Sequence, residues 1–275
     1  MKHRVIISLL RAIVLAAWTL IVLIPILIVI LNSFKTMQEL RFGALRLPES
    51  FQFSNYATSF REAGMLGAFG NSFLITLFSV VCIVVCASMA AYPISRSNSG
   101  WFRMAFFYFL SGLMVPFQLA MVPLYKVLIS LKLIGTHAGV VLVYCASAMG
   151  FAVFLYTGFL KTVPRELEEA ALIDGAGKFR TFWMVVFPLV KPISASVAIT
   201  NSLFVWNDFF IPLLFLQSKA AYTIPLTIYS FRNDNMTAWP LLFAAVAIAS
   251  LPLVMLFIAM QKHFIRGLAS GAVKG

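Results

Sequence analysis

RELEEAALIDGA, residues 165–176, stands between two long apolar stretches. Four of the nine acidic residues in the chain, Glu166, Glu168, Glu169 and Asp174, fall within it. The surroundings make that concentration unusual. Of 275 residues, 61% are hydrophobic and only 11% charged, against roughly 25% charged in an ordinary soluble domain. The apolar residues gather into blocks of about 20, the length that crosses roughly 30 Å of hydrocarbon as a helix. The composition therefore predicts an all-α polytopic membrane protein, and the acidic stretch is one of its loops.

Six spans are predicted, at residues 12–31, 69–91, 104–123, 139–160, 193–216 and 241–260. The first follows Lys2, His3 and Arg4 like a secretory signal, but its apolar run exceeds the usual signal core of about 7 to 15 residues and no small-residue cleavage site follows, so it reads as a retained span. An even count puts both termini on one side. With the N-terminus inside, thirteen of the 21 Lys and Arg are cytoplasmic and eight are outside, which favours N-in and C-in. The acidic loop then faces the cytoplasm. The chain divides on this reading into a first span with an extracytoplasmic loop (1–68), a core (69–263) whose cytoplasmic loop is 162–191, and a short cytoplasmic tail (264–275).

The net charge of +12 follows from the same positive-inside bias. Nucleic-acid binding would need a basic groove interleaved with stacking aromatics, and the 27 Phe lie mostly in the spans. Cys82 and Cys86 share a helix face inside an apolar run, Cys145 lies in another, and His3, His137 and His263 form no ligand pattern, so no metal site is expected. Trp101, Tyr125 and Trp239 fall near span ends, where such rings anchor at the headgroup level.

Within the loop, Thr162 is a candidate N-cap, Pro164 suits a first turn, and Glu166, Glu168 and Glu169 complement a helix dipole. Leu167, Ala170 and Ala171 share one face. Asp174-Gly175-Ala176-Gly177 ends the helix, since Gly supplies a left-handed cap at little cost. A second helical run from Phe179 to Phe187 leads to Pro188. The product is a helical hairpin with small residues on its face and acids around it, built to be recognised by a docking partner.

At this point the chain resembles the permease subunits of binding-protein-dependent ABC importers. Those carry a cytoplasmic pattern E-A-A, three residues, G, nine residues, I-x-L-P. Here it stands as Glu169-Ala170-Ala171, Gly175, and Val185-Val186-Phe187-Pro188, with every spacing kept. Residues 149–192, WNDFF at 206–210, TIPLTI from Thr223 and the closing QKHFIRGLASGAVKG are similar to the carbohydrate branch, in particular to the MalG-like permease of maltose-type importers. The resemblance implies the type I importer permease fold, a sugar as substrate, a second homologous permease, two ABC ATPase subunits and an extracytoplasmic solute-binding protein as partners. It further implies that Glu169, Ala170, Ala171, Asp174, Gly175 and Pro188 couple this chain to an ATPase. No cofactor is expected on this chain, ATP being bound by the partners.

The residues agree that it hydrolyses nothing itself. The one P-loop lookalike, Gly175-Ala176-Gly177-Lys178-Phe179, has Leu172 where the first Gly belongs and Phe where the hydroxyl belongs. Asp208 is the one acid expected within a span, and with Trp206 and Asn207 it is a candidate for lining the path. A helix-end hydrogen bond is the structural alternative. A permease for a non-sugar solute, or an ion-coupled secondary transporter using Asp208, are the rival functions; the second leaves the acidic hairpin without a purpose.

Overall fold

The computed structural model describes residues 2–234 and 238–272. Every regular element among the described residues is helical. In chain order these are α1 (Lys2–Ser33), α2 (Met37–Arg41), α3 (Ser54–Glu62), α4 (Met65–Arg96), α5 (Gly100–Met114), α6 (Phe117–Ser130), α7 (His137–Leu160), α8 (Glu166–Ile173), α9 (Lys178–Thr181), a π-helical turn (Phe182–Val186), α10 (Phe187–Leu189), α11 (Lys191–Asn207), α12 (Phe210–Phe215), a 3₁₀ turn (Lys219–Ala221), α13 (Ile224–Asp234) and α14 (Trp239–Ala272). The side chains of the predicted tail, 264–275, lie outside the described residues.

Three unbroken helices are long and apolar enough to cross a membrane: Ile7–Ser33, Met65–Arg96 and His137–Leu160. The third predicted span falls on the bent pair Gly100–Met114 and Phe117–Ser130, the fifth on α11 and α12, and the sixth on the shorter apolar helix Trp239–Met255. The third predicted span is not a single helix, because α5 and α6 meet at 106°. The cause is Pro116, which pushes the preceding Val115 into an extended conformation (φ −88°, ψ 116°) and so ends α5. The fifth is also broken. α11 stops at Asn207, since the ring of Pro212 collides with the carbonyl four residues back, that of Asp208, in a continuous helix.

The chain forms two compact units, residues 1–66 with 227–254 and residues 67–226 with 255–275. In the first, the apolar stretch of α1 is unburied, as suits a helix solvated by lipid. The loop after it is knotted around Lys35, whose fully buried ammonium donates to Asn32 Oδ1 (2.8 Å) and to the carbonyls of Gly43 (3.0 Å) and Ala44 (3.1 Å). Burial lowers the Lys35 pKa and Glu39 partly opposes that. Thr36 and Glu39 cap α2 reciprocally, and the backbone N–H groups of Thr36 and then Glu49 hold the Glu39 carboxyl below its usual range. Phe34 sits against Phe51, Phe53 and Tyr56, and Ser59 of α3 donates to the Leu241 carbonyl of α14 (2.7 Å).

The second unit has two apolar clusters. One joins Ile83, Ala87 and Ala91 of α4 to Val153 and Tyr156 of α7 and to Phe182 and Val186 of the π turn. The other gathers Ile75, Val140, Tyr144, Val205 and Phe215. Where α5 crosses α7, a Cβ at Gly150 would lie 2.6 Å from the Phe109 carbonyl oxygen, so only a glycine lets the backbones approach this closely.

Candidate functional site: the acidic elbow

The loop between α7 and α11 is a helical elbow. Thr162 does not cap it. Its hydroxyl donates back to the Phe159 carbonyl (2.8 Å) and so closes the end of α7, while α8 begins beyond Arg165 with no side-chain cap. Three glutamates in its first turn supply the negative charge that the exposed N–H groups favour.

The far end of α8 is built as the sequence reading expects. Gly175 has φ +83°, its N–H donates to the Leu172 carbonyl, and the Ala176 N–H reaches back to Ala171 (3.0 Å). That pair of bonds is the Schellman arrangement, with glycine at its left-handed position. After Gly177, the chain runs as one helix from Lys178 to Leu189 and meets α11 at 75°. Its middle turn is π-helical, Phe187 N–H donating to Phe182 O. Pro188 supplies the reason: an α-helix would drive its ring into the Met184 carbonyl, and a wider turn relieves that clash.

The acids divide into two groups. Glu169 and Asp174 are exposed, as are Ala170 and Gly175, and Ala171 is half-buried. Beside them Ile173 is 86% exposed and Phe179 stands out of the second helix. These residues present a small, partly apolar face rimmed with negative charge. Pro188 is exposed on the other side of the π turn.

Glu168 points the other way and is only 7% exposed. Its Oε1 accepts from Arg96 Nε (2.8 Å) in an ion pair that also engages Nη2, and its Oε2 accepts from the Tyr92 hydroxyl (2.9 Å). Arg96 also donates through Nη1 to the Leu160 carbonyl (2.8 Å) and through Nη2 to the Val163 carbonyl (3.1 Å). One guanidinium thus ties together the end of α4, the end of α7 and the start of α8. Removing one partner from a buried pair of this kind costs about 3–5 kcal/mol. The expectation that all the acids serve recognition is corrected here: Glu168 is an internal fastening. Arg96 is not among the residues that the loop's own sequence singles out. The signal that marks it is Tyr92 and Arg96 at i, i+4, one face at the end of a span.

At the other candidate position, Asp208 has both oxygens engaged. Oδ1 accepts from the Phe210 N–H (3.0 Å), and Oδ2 accepts from the Ile211 N–H (3.1 Å) and the Tyr144 hydroxyl (2.9 Å). It caps the first turn of α12 and links it to α7. The Asn207 amide donates to the Leu203 carbonyl and Trp206 is half-buried. Among the described residues, no group of three or more His, Cys, Asp and Glu side chains could hold a metal ion.

Bent spans with a helical elbow between them make this a multi-helix membrane protein. The profile of the binding-protein-dependent transport system inner membrane component family matches residues 83–270, and the chain belongs to that family. It is a multi-pass protein of the cell membrane. Over all 275 residues it is 38% identical to the melibiose/raffinose/stachyose import permease protein MelC of Bacillus subtilis, 98% of which is covered. It is 34% identical to the probable starch degradation products transport system permease protein AmyC of Thermoanaerobacterium thermosulfurigenes, over 91% of each chain. A chain from a bacterial ABC transporter involved in the import of the acidic polysaccharide alginate has the same fold, with TM-score 0.82, 22% identity, and 96% and 98% of the two chains covered.

Proposed function

We propose that this chain is a permease subunit of an ATP-driven sugar importer and that the elbow is where an ATPase subunit grips it. The family membership supports an importer fed by a binding protein, and the sugar-importing relatives support a carbohydrate as the solute. On this reading a second homologous permease completes the path and two ATPase subunits bind the cytoplasmic side. Glu169, Ala170, Ala171, Asp174 and Gly175 form the docked face, and Pro188 fixes the turn behind it. The small residues admit another backbone closely, and the acids offer charge complementarity to its rim. The chain moves solute and leaves ATP hydrolysis to its partners.

The observation that carries this reading is the Arg96–Glu168–Tyr92 fastening. A docked elbow drives the spans only if it is joined to them stiffly. Taking an alternating-access equilibrium from 1:99 to 99:1 requires about 5.5 kcal/mol of differential binding. The Arg96 fork supplies such a joint, bonded at once to Glu168 of α8, to the Leu160 carbonyl at the end of α7 and to the Val163 carbonyl. ATP-driven closure of the ATPase pair would pull α8, and the guanidinium would carry the pull into α4 and the end of α7.

The test is Glu168→Gln in membrane vesicles holding the whole importer. The amide keeps the Tyr92 bond but loses the ion pair. Sugar uptake should fall at least tenfold while the ATPase subunits stay bound and ATP is still hydrolysed. Normal uptake would remove the joint from the mechanism. Uptake that follows an ion gradient and ignores ATP would replace the importer reading with an ion-coupled one.

A further inference from the structure

A cavity of about 400 Å³ opens between the α4–α5 turn, the first two turns of α5 and the end of α7. Its polar side carries Arg103 and Lys161, both exposed, with Ser97 and Asn98 between them. Its other side is apolar, formed by Phe106 and Phe107. No carboxylate lines it. The guanidinium of Arg96 next to it is already committed to Glu168 and two carbonyls, so Arg103 and Lys161 are the cations left for a ligand.

Thr157 lies at the floor of the cavity and is 3% exposed, with its hydroxyl enclosed by the protein. The N-terminus of α5 adds its partial positive charge at the same place, Arg103 lying on its first turn. Trp101, 70% exposed on that turn, belongs at the headgroup level of a bilayer.

We propose that this pocket binds the phosphate of an anionic phospholipid, with the headgroup between Arg103 and Lys161 and the acyl chain along Phe106 and Phe107. Two cations and an apolar wall meeting at a span end match that amphipathic ligand. A soluble phosphate would use the cations and gain nothing from the wall. Assignment to the inner leaflet rests on the orientation proposed above. Lipid binding in micelles does not depend on orientation, so the two ideas fail separately.

The experiment is native mass spectrometry of the full chain released from micelles holding equal phosphatidylglycerol and phosphatidylcholine. Two cations near a headgroup predict a preference of roughly 30-fold for phosphatidylglycerol in the wild type. The Arg103→Gln/Lys161→Gln variant should retain the two lipids equally, and Arg103→Lys should keep the preference, which shows that the altered site still folds. Removing the same charge elsewhere, as Arg46→Gln/Lys126→Gln, should leave the preference intact. An equal loss in that control would reduce the effect to net charge and overturn the site. So would equal retention of both lipids by the wild type. Displacement of phosphatidylglycerol by inorganic phosphate at matched concentration would overturn the lipid assignment in favour of a soluble anion.

Discussion

Two polar segments interrupt the apolar helices, and each is organised around one buried cation. In the loop after α1 it is Lys35, and at the elbow it is Arg96. The lysine meets only neutral oxygens from residues three to nine positions away. The arginine meets a carboxylate and two carbonyls from 64 to 72 positions away. An ammonium is a compact point charge, whereas a guanidinium is a planar fork that serves several directions at once. Lys35 therefore folds a loop onto itself, and Arg96 joins three separate helices.

The largest expected effect on uptake comes from Arg96→Ala, which leaves Glu168 buried without its charge partner and should abolish ATP-driven uptake. Arg96→Lys sharpens the comparison, since one ammonium cannot reach all the oxygens the fork reaches; uptake assays should place it between wild type and Arg96→Ala. If lysine restores full uptake, charge alone suffices and the fork is irrelevant. Next comes Gly175→Val. A Cβ there meets nothing within 4 Å, so the whole penalty is the left-handed backbone, about 1–2 kcal/mol or more for a β-branched residue. Uptake should be lost while insertion, followed by membrane fractionation, stays normal.

Asp208→Asn should do much less. Asn keeps an acceptor for the first turn of α12, and the cost should stay near 1 kcal/mol, read as a small shift in thermal unfolding with uptake within about threefold of normal. Complete loss of uptake with the ATPase still docked would assign Asp208 to the solute path. The smallest effect on uptake belongs to Lys35→Met. The buried Asn32 Oδ1 loses its donor, at about 1–3 kcal/mol, and the carbonyls of Gly43 and Ala44 lose theirs where water can reach, so limited proteolysis of the outer loop should quicken while uptake per inserted chain changes less than twofold. A loss as deep as that of Arg96→Ala would erase the contrast between the two segments.

Much of this architecture is legible in the chain because it depends on local chemistry. Twenty apolar residues mark a span whatever surrounds them. Gly175 announces a left-handed turn by its identity, and its φ of +83° follows. Pro116 announces a break, but not the 106° angle, which packing decides. The elbow's small and acidic face was readable for the same local reason. Its attachment was not: three glutamates crowd one turn of α8, and nothing in their order says that Glu168 turns inward to Arg96, 72 residues earlier. Thr162 suits a cap of α8 on paper because a threonine near a helix boundary serves either end equally well, and its proton goes to Phe159 at the end of α7. Asp208 posed a similar ambiguity, since a carboxylate at a helix break looks the same in sequence whether it faces solute or backbone.

The wide turn at Phe182–Val186 also fixes the clocking of the elbow. An α-helix advances about 100° per residue, so the one surplus residue held in that turn sets the rotational phase of everything before it relative to α11. Shortening the segment by a single residue would tighten it to α-helical pitch and swing Phe179 and the acidic face by nearly a third of a revolution, aiming an otherwise intact surface at the wrong azimuth.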